Sequence, residues 1–249
     1  MKESNTTPQN WFESWFDSPY YHLLYSNRDY SEAEFFIGNL VTKLRLKAGA
    51  PVLDLACGKG RHAFSLSGYD LDVLGLDLSP NSISEARKLT HDSLHFDVHD
   101  MREVYPGRQF DVVFNLFTSF GYFDDSAENL KVLKSVHQML LPAGKLVIDF
   151  MNAAKVVRDL VEQEVKTVEG VDFHIAREYD GKHIFKHIRF HAEGQDFHFT
   201  ERVQALKPED FKALLEDAGF ELVNTYGNYA LDAFDISASP RLILEAQKR

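Results

Sequence analysis

The chain has 249 residues, 44% of them hydrophobic and 26% charged, with a net charge of −11. Such a composition describes a globular protein with a real core, and the length suits one domain with an elaboration. An acidic surface repels phosphate backbones and anionic lipid, which argues against nucleic acid and membrane partners. The single cysteine, Cys57, rules out an internal disulfide and suits a reducing cytoplasm. No apolar run approaches the length of a membrane span. Residues 1–11 lack the apolar core of a signal peptide, so a cytoplasmic protein is expected.

Residues 1–9 are polar and are expected to be disordered. Residues 11–30 are dense in Trp, Phe and Tyr, too apolar to leave in water. They read as a short helical arm that either packs on the domain or forms a lid over a site. Residues 31–46 carry a helical apolar stripe (Ala33, Phe36, Ile37, Leu40, Val41, Leu44). Ser31 and Glu34 have capping-box spacing at its start.

Residues 52–77 hold the densest information. Residues 52–56 are a short, mostly apolar run, as expected of a strand buried on both faces. Cys57-Gly58-Lys59-Gly60 follows, a turn in which glycine permits a sharp bend and close approach of a ligand. Residues 61–67 start a helix whose free N–H groups point back at that turn. Residues 73–77 form a second strand closed by Asp77, placed to take the hydroxyls of a ribose. The stretch therefore predicts a nucleoside-bearing cofactor.

Beyond it, Ser79-Pro80 opens a helix to about Leu89. Residues 94–97 and 110–117 are the third and fourth strands. Asp100-Met101 lies in the loop after the third, and residues 118–125 form a loop after the fourth. Ser126 is expected to cap a helix that ends near Leu141, and Pro142-Ala143-Gly144 separates it from a fifth strand at 145–150. Strands alternating with helices indicate a doubly wound α/β fold. The pattern then changes. Residues 171–179, 182–191 and 196–206 are β-rich, and Asp180-Gly181 is a hairpin signal between the first two. A helix from Pro208 to Ala218, ended by Gly219, precedes strands at 220–226 and 241–246. The expected architecture is a Rossmann-like, mostly parallel seven-stranded sheet with helices on both faces and a small antiparallel β insertion after the fifth strand. The expected divisions are an arm at 1–30, a cofactor-binding domain at 31–163 and 207–249, and the insertion at 164–206.

A dinucleotide site would place a pyrophosphate on the glycine turn. Asp54, an acid within the first strand, suits a cationic ligand amine instead. With Asp77 and Asp100-Met101 there is provision for a single nucleoside. The segment 54–60, DLACGKG, resembles motif I of the class I S-adenosylmethionine-dependent methyltransferases. Asp77 is similar to their ribose acid, Asp100-Met101 to their adenine-side motif, and residues 115–117 to their fourth-strand motif. Residues 141–144, LPAG, resemble their L-x-P-G-G turn. The loop 118–123 with the inserted sheet is similar to bacterial small-molecule methyltransferases, including amino-sugar N,N-dimethyltransferases.

The resemblance implies S-adenosylmethionine as cofactor and transfer of its methyl to N or O of a small molecule. It implies that Ala56, Gly58 and Gly60 lie against the methionine part and that Asp54 faces its ammonium. Asp77 would take the ribose, Leu78 and Met101 would sandwich the adenine, and Asp100 would accept from the adenine amine. Asn115 would offer its carbonyl to the methionyl amine, and Arg28 would pair with the cofactor carboxylate. Catalytic base candidates are Tyr21, His22 and Tyr122, though none is an unmistakable base and each reads first as aromatic wall or cofactor contact. His183, His187 and His191 recur every four residues on a predicted strand, roughly 13 Å apart. That is too far for one metal, and no metal site is expected. A monomer or homodimer is expected. The alternatives are a nucleotide-dependent oxidoreductase on a similar sheet and a non-catalytic cofactor-binding or assembly module.

Overall fold

A computed structural model describes residues 11–26, 30–123 and 125–249. The chain opens with two short helices, α1 (Trp11–Phe16) and α2 (Pro19–Leu24). Ser18 caps α2 by accepting from the Tyr20 N–H, and Pro19 sits in the first turn. The long helix α3 (Tyr30–Leu44) follows. It already includes Tyr30, so Ser31 lies inside the first turn and not at the cap.

The main sheet contains β1 (Pro51–Leu55), β2 (Asp72–Asp77), β3 (Leu94–Val98), β4 (Phe110–Asn115), β5 (Leu140–Met151), β10 (Phe220–Tyr226) and β11 (Arg241–Lys248). Their order is β10-β11-β5-β4-β1-β2-β3. The five strands from β3 to β5 are parallel, and β11 runs antiparallel to both neighbours. The order reverses between β1 and β4, the place where open α/β sheets bind ligands at their carboxyl ends.

Alternate residues of each strand supply opposite faces. Val52, Val73, Val112 and Val147 are buried with α3, α4 (Arg61–Ser67) and α5 (Pro80–Ala86). Leu53, Leu74, Val113 and Leu146 are buried with α6 (Ser126–Met139) and α8 (Pro208–Asp217). The arm and the inserted strands join this second cluster.

Three sequence expectations shift at boundaries. Asp125, not Ser126, caps α6, accepting from the Ala127 N–H at 2.9 Å. Both residue types cap well, and a carboxylate also complements the helix dipole. The helix stops at Met139 and β5 starts at Leu140, so the LPAG segment is an irregular strand entry with Ala143 at φ 59°. The insertion has four strands, not three. β6 (Gln163–Val168) pairs with β7 (Val171–Tyr179), followed by β8 (His183–Ala192) and β9 (Gln195–Gln204). As a mostly exposed edge strand, β6 carries little hydrophobic signal. Asn152 caps the preceding helix α7 (Ala153–Arg158).

The three histidines spaced four apart on β8 each have local partners. His183 faces Asp180, His187 bonds Thr200 and Glu178, and His191 bonds Asp196. Among the described residues no three His, Cys, Asp or Glu side chains gather as a metal site, and no helix is long and apolar enough to cross a membrane.

Candidate functional site

A cavity of about 420 Å³ opens at the carboxyl ends of β1, β2 and β4. Six of the residues expected to bind the cofactor line it: Ala56, Gly58, Asp77, Leu78, Asp100 and Met101. The turn after β1 is wound left-handed, with Ala56 at φ 63°, Gly58 at 56° and Gly60 at 84°. A Cβ on Gly58 would point into open space, which leaves its backbone free to meet a ligand. Asp77 closes β2 and grips that turn. Its Oδ2 accepts from the Gly58 N–H at 2.8 Å and its Oδ1 from the Ser79 N–H at 2.9 Å. Burial raises the Asp77 carboxyl above the usual range, opposed by these two N–H groups. Asp100 is also shifted upward by burial, but the bonded Arg102 outweighs this and holds it below its ordinary value.

Three predicted residues are placed differently. Gly60 is needed for packing, because a Cβ there would lie 2.7 Å from the Phe96 ring. It is not among the lining residues. Asn115 is a strut beneath the floor, its Nδ2 donating to Leu55 O at 3.1 Å and Ser119 O at 3.3 Å. Its Oδ1 is buried with no hydrogen-bond partner. Asp54 is 1% exposed and sits behind the turn. It accepts from the Ala63 N–H, and its Oδ2 has no partner. Burial, with Asp77 adding, pushes its pKa up to about 7, against the pull of Ala63 N–H and Arg61. Arg28 lies outside the described residues. Cys57 is buried and its thiol is pushed up by that burial, the mark of an inert structural cysteine.

The arm covers the cavity from one side. Asp17 accepts from Ser79 Oγ at 2.5 Å and Asn81 Nδ2 at 2.7 Å, tying the arm to the start of α5. His22 Nε2 lies 3.4 Å from Ser82 Oγ. Tyr21, His22 and Tyr122 all line the cavity. The Tyr122 hydroxyl donates to Thr118 O, a geometry that holds the ring in place and keeps its proton engaged. Trp15 is fully buried, with its Nε1 donating to Glu201 of β9 at 2.7 Å. The arm thus packs on the domain and also lends side chains to the cavity wall.

An acid closing β2, an orphaned buried carboxylate oxygen behind a glycine turn, and apolar Leu78 and Met101 suit an adenosyl group bearing an amino-acid tail. A family model described as a methyltransferase domain matches residues 46–219. The chain is also 30% identical over 191 residues to the dTDP-3-amino-3,4,6-trideoxy-alpha-D-glucopyranose N,N-dimethyltransferase of Streptomyces venezuelae, covering 73% of this chain and 79% of that one. The chain belongs to the S-adenosylmethionine-dependent methyltransferases. In fold it is similar to an S-adenosylmethionine-dependent methyltransferase from Clostridium acetobutylicum ATCC 824, with TM-score 0.78 at 20% identity over 92% of this chain and 96% of that one. It is similar also to an amino pentose methyltransferase from Micromonospora echinaspora solved with SAM bound, with TM-score 0.67 at 21% identity over 90% of this chain and 93% of that one. Family membership removes the oxidoreductase alternative.

The methyltransferase has a second cavity, of about 230 Å³, beside the first. Phe16, Tyr21, Tyr25, Phe117 and Tyr122 line both. The far end of the smaller cavity is built by the inserted sheet, including Arg177, Ile184, Lys186, Glu201 and Val203. Residues 227–240 line neither cavity. Tyr229 of that loop instead stacks on Phe36 with ring centroids 4.3 Å apart.

Sequence reading missed the groups that hold the shared wall. Phe117 and Thr118 are consecutive non-glycine residues in the left-handed region, at φ 61° and 60°. Buried Asp149 of β5 holds them: its Oδ2 accepts from the Phe117 N–H at 2.9 Å and its carbonyl from the Thr118 N–H at 2.8 Å. Arg241 of β11 bonds Asp149 Oδ1 at 2.7 Å and Thr118 Oγ1 at 2.9 Å. The Phe117 ring also lies near two guanidinium groups, Arg61 at 5.5 Å and Arg241 at 5.7 Å. Asp149 and Arg241 lie 92 residues apart in sequence, so no local motif announces them.

Proposed function

We propose that the chain methylates the nitrogen of a small-molecule amine, with the larger cavity taking the donor and the smaller one the acceptor. The observation that supports this is the set of aromatic residues lining both cavities, a shared boundary across which donor and acceptor would meet in this reading. The N,N-dimethyltransferase relative supports nitrogen as the acceptor atom. The net charge of −11 supports a small acceptor over nucleic acid or a membrane surface. The single cysteine supports a cytoplasmic setting.

When bound, S-adenosylmethionine supplies a methyl group on a sulfonium, a leaving group that departs as a neutral thioether. The chain's own task is alignment and exclusion of water, which can supply roughly 7–11 kcal/mol. In this reading Asp77 takes the ribose hydroxyls, and Leu78 and Met101 cover the adenine faces. Asp100, held ionised by Arg102, accepts from the adenine amine. Ala56 and Gly58 offer backbone to the methionine tail, and Asp54 stabilises its ammonium from behind the turn. Arg28 and Arg61 are the candidates for its carboxylate, Arg61 being a lining residue. An amine needs a base only to lose its first proton. His22 and Tyr21 face the cavity and are the better placed candidates, since the Tyr122 hydroxyl already donates to Thr118 O. In this division the inserted sheet, 164–206, belongs to the acceptor side, and Phe16, Tyr21 and Tyr25 of the arm to the boundary between the two cavities.

The test is calorimetry with S-adenosylhomocysteine, then methyl transfer from labelled S-adenosylmethionine to paired amine and hydroxyl acceptors of the same skeleton. Binding followed by N-methylation is expected. Methylation of the hydroxyl members alone would overturn the nitrogen assignment.

A further inference from the structure

The smaller cavity is walled by rings and aliphatic side chains, and its charges cancel. Among the described residues that line it, only Arg177, Lys186 and Glu201 are charged. Arg177 pairs with Glu164 of β6, and its Nη1 also donates to Val161 O at 3.2 Å. Lys186 lies opposite Glu201 in the register of β8 and β9, with its Nζ 3.9 Å from Glu201 Oε2. It also donates to the Tyr25 hydroxyl oxygen, and that hydroxyl donates in turn to Glu201 Oε1 at 2.8 Å. The row Glu164, Arg177, Lys186, Glu201 crosses every strand of the inserted sheet with signs −, +, +, − and no net charge.

An oxyanion seated here would have to take a cation from its carboxylate or lie beside that carboxylate. The Arg177 and Lys186 side chains are 21% and 15% exposed, so water screens these pairs little. Separating the partners of a covered pair is costly. The rest of the wall favours hydrocarbon. The Phe16 ring lies 5.3 Å from that of Trp11 and 5.2 Å from that of Tyr122, and Met151, Ile184 and Val203 add aliphatic surface. At about 230 Å³ the cavity is also smaller than the roughly 300–1,000 Å³ of sites for drug-sized ligands.

We infer that the methyl acceptor is a compact apolar amine, a nitrogen on a small hydrocarbon or aromatic body with no phosphoryl or other anionic group. The inference rests on the reading of the smaller cavity as the acceptor side. It separates this chain from the N,N-dimethyltransferase relative, whose named acceptor carries dTDP. The rings bind the body through apolar area. As the nitrogen lone pair takes the methyl, the C–S bond breaks to the thioether and the positive charge passes to nitrogen, where ring faces stabilise it.

The experiment is methyl transfer from labelled S-adenosylmethionine by the full chain to three amines in turn: phenethylamine, phosphoethanolamine and the dTDP-amino sugar of that relative. The kcat/KM for phenethylamine should exceed that for either phosphoryl amine roughly tenfold or more, the factor expected from burying a phenyl ring. Glu164→Gln removes the carboxylate of Arg177 from outside the cavity lining. It should narrow that preference by raising kcat/KM for the phosphoryl amines, with S-adenosylhomocysteine affinity unchanged. Equal or greater kcat/KM for a phosphoryl amine, turnover of none of the three by a chain that binds S-adenosylhomocysteine, or a preference that does not move in Glu164→Gln would overturn the inference. N-methylation confined to the phosphoryl amines keeps the proposed function and loses this inference. Methylation of phenethyl alcohol without phenethylamine overturns the nitrogen assignment and this inference with it.

Discussion

Asp54→Asn separates the energetic cost of a buried acid from its use. Asp54 is 1% exposed, and one of its oxygens has no hydrogen-bond partner. Its pKa rises from 3.8 to about 7, chiefly through burial. The folded state therefore holds the proton more tightly than the unfolded chain. The stability contributed by the neutral carboxyl is complete below about pH 3.8, declines as pH rises, and is gone above about pH 7. A shift of about three units at about 1.4 kcal/mol each is worth of order 4 kcal/mol. Asparagine keeps the acceptor for the Ala63 N–H and has no charge to bury. Urea unfolding of both proteins should show their stability gap moving in favour of the variant by about that amount between pH 4 and pH 8. The other titrating groups are common to both and cancel in the difference. A gap that does not change with pH would refute the reasoning. The cofactor side follows from the same sign. An ammonium near Asp54 favours the carboxylate, so wild-type binding of S-adenosylhomocysteine should release a proton near pH 7 and tighten as pH rises. Calorimetry in two buffers of different ionisation enthalpy measures that proton, and it should vanish in Asp54→Asn.

Asp77→Ala removes the acceptor for the Gly58 and Ser79 N–H groups, each a charge-assisted bond worth about 1.5–3 kcal/mol; S-adenosylhomocysteine binding should be lost by calorimetry. Gly60→Ala forces a Cβ to 2.7 Å from Phe96 at φ 84° and should cost about 2–4 kcal/mol in denaturant unfolding. The surviving folded fraction should bind S-adenosylhomocysteine with unchanged affinity, because the clash is with the core. Asp149→Ala leaves Arg241 buried without its carboxylate and frees the 117–118 turn. It should cost about 3–5 kcal/mol by unfolding and lower kcat more than it raises the KM for S-adenosylmethionine.

The sheet was legible because each strand of the parallel half is a short apolar run between turn signals. Asp77 was legible because its position is dictated by the unit it closes. Gly60 was legible as a glycine but not in its reason, since Phe96 comes from another strand. Asn115 and Asp54 were found as polar residues in apolar strands, yet sequence could not tell a lining group from a strut. Strand β6 was missed because an edge strand can afford polar residues on both faces. Asp149, Arg241, Arg177 and Lys186 were invisible as a group. Their meaning lies in register and in distant pairing, which composition and spacing do not encode.

A parallel sheet offers a ligand only its carboxyl edge, enough to hold one nucleoside. A reaction between two molecules needs further walls, and this chain adds them from its two irregular segments. The arm is hydrogen-bonded to both sides of the site. Through Asp17 it reaches Ser79, whose N–H is held by Asp77 in the wall of the larger cavity. Through Trp15 and Tyr25 it reaches Glu201, which is paired in register with Lys186 in the lining of the smaller cavity. Phe16 and Tyr21, between those anchors, form part of the wall common to both cavities. A displacement of the arm would therefore open both cavities together and, in the proposed reading, admit water to the path of the methyl. The aromatic density of residues 11–25 follows from that position. Rings supply area that excludes water at little conformational cost, and the hydroxyl and indole tips bind the arm to the inserted sheet.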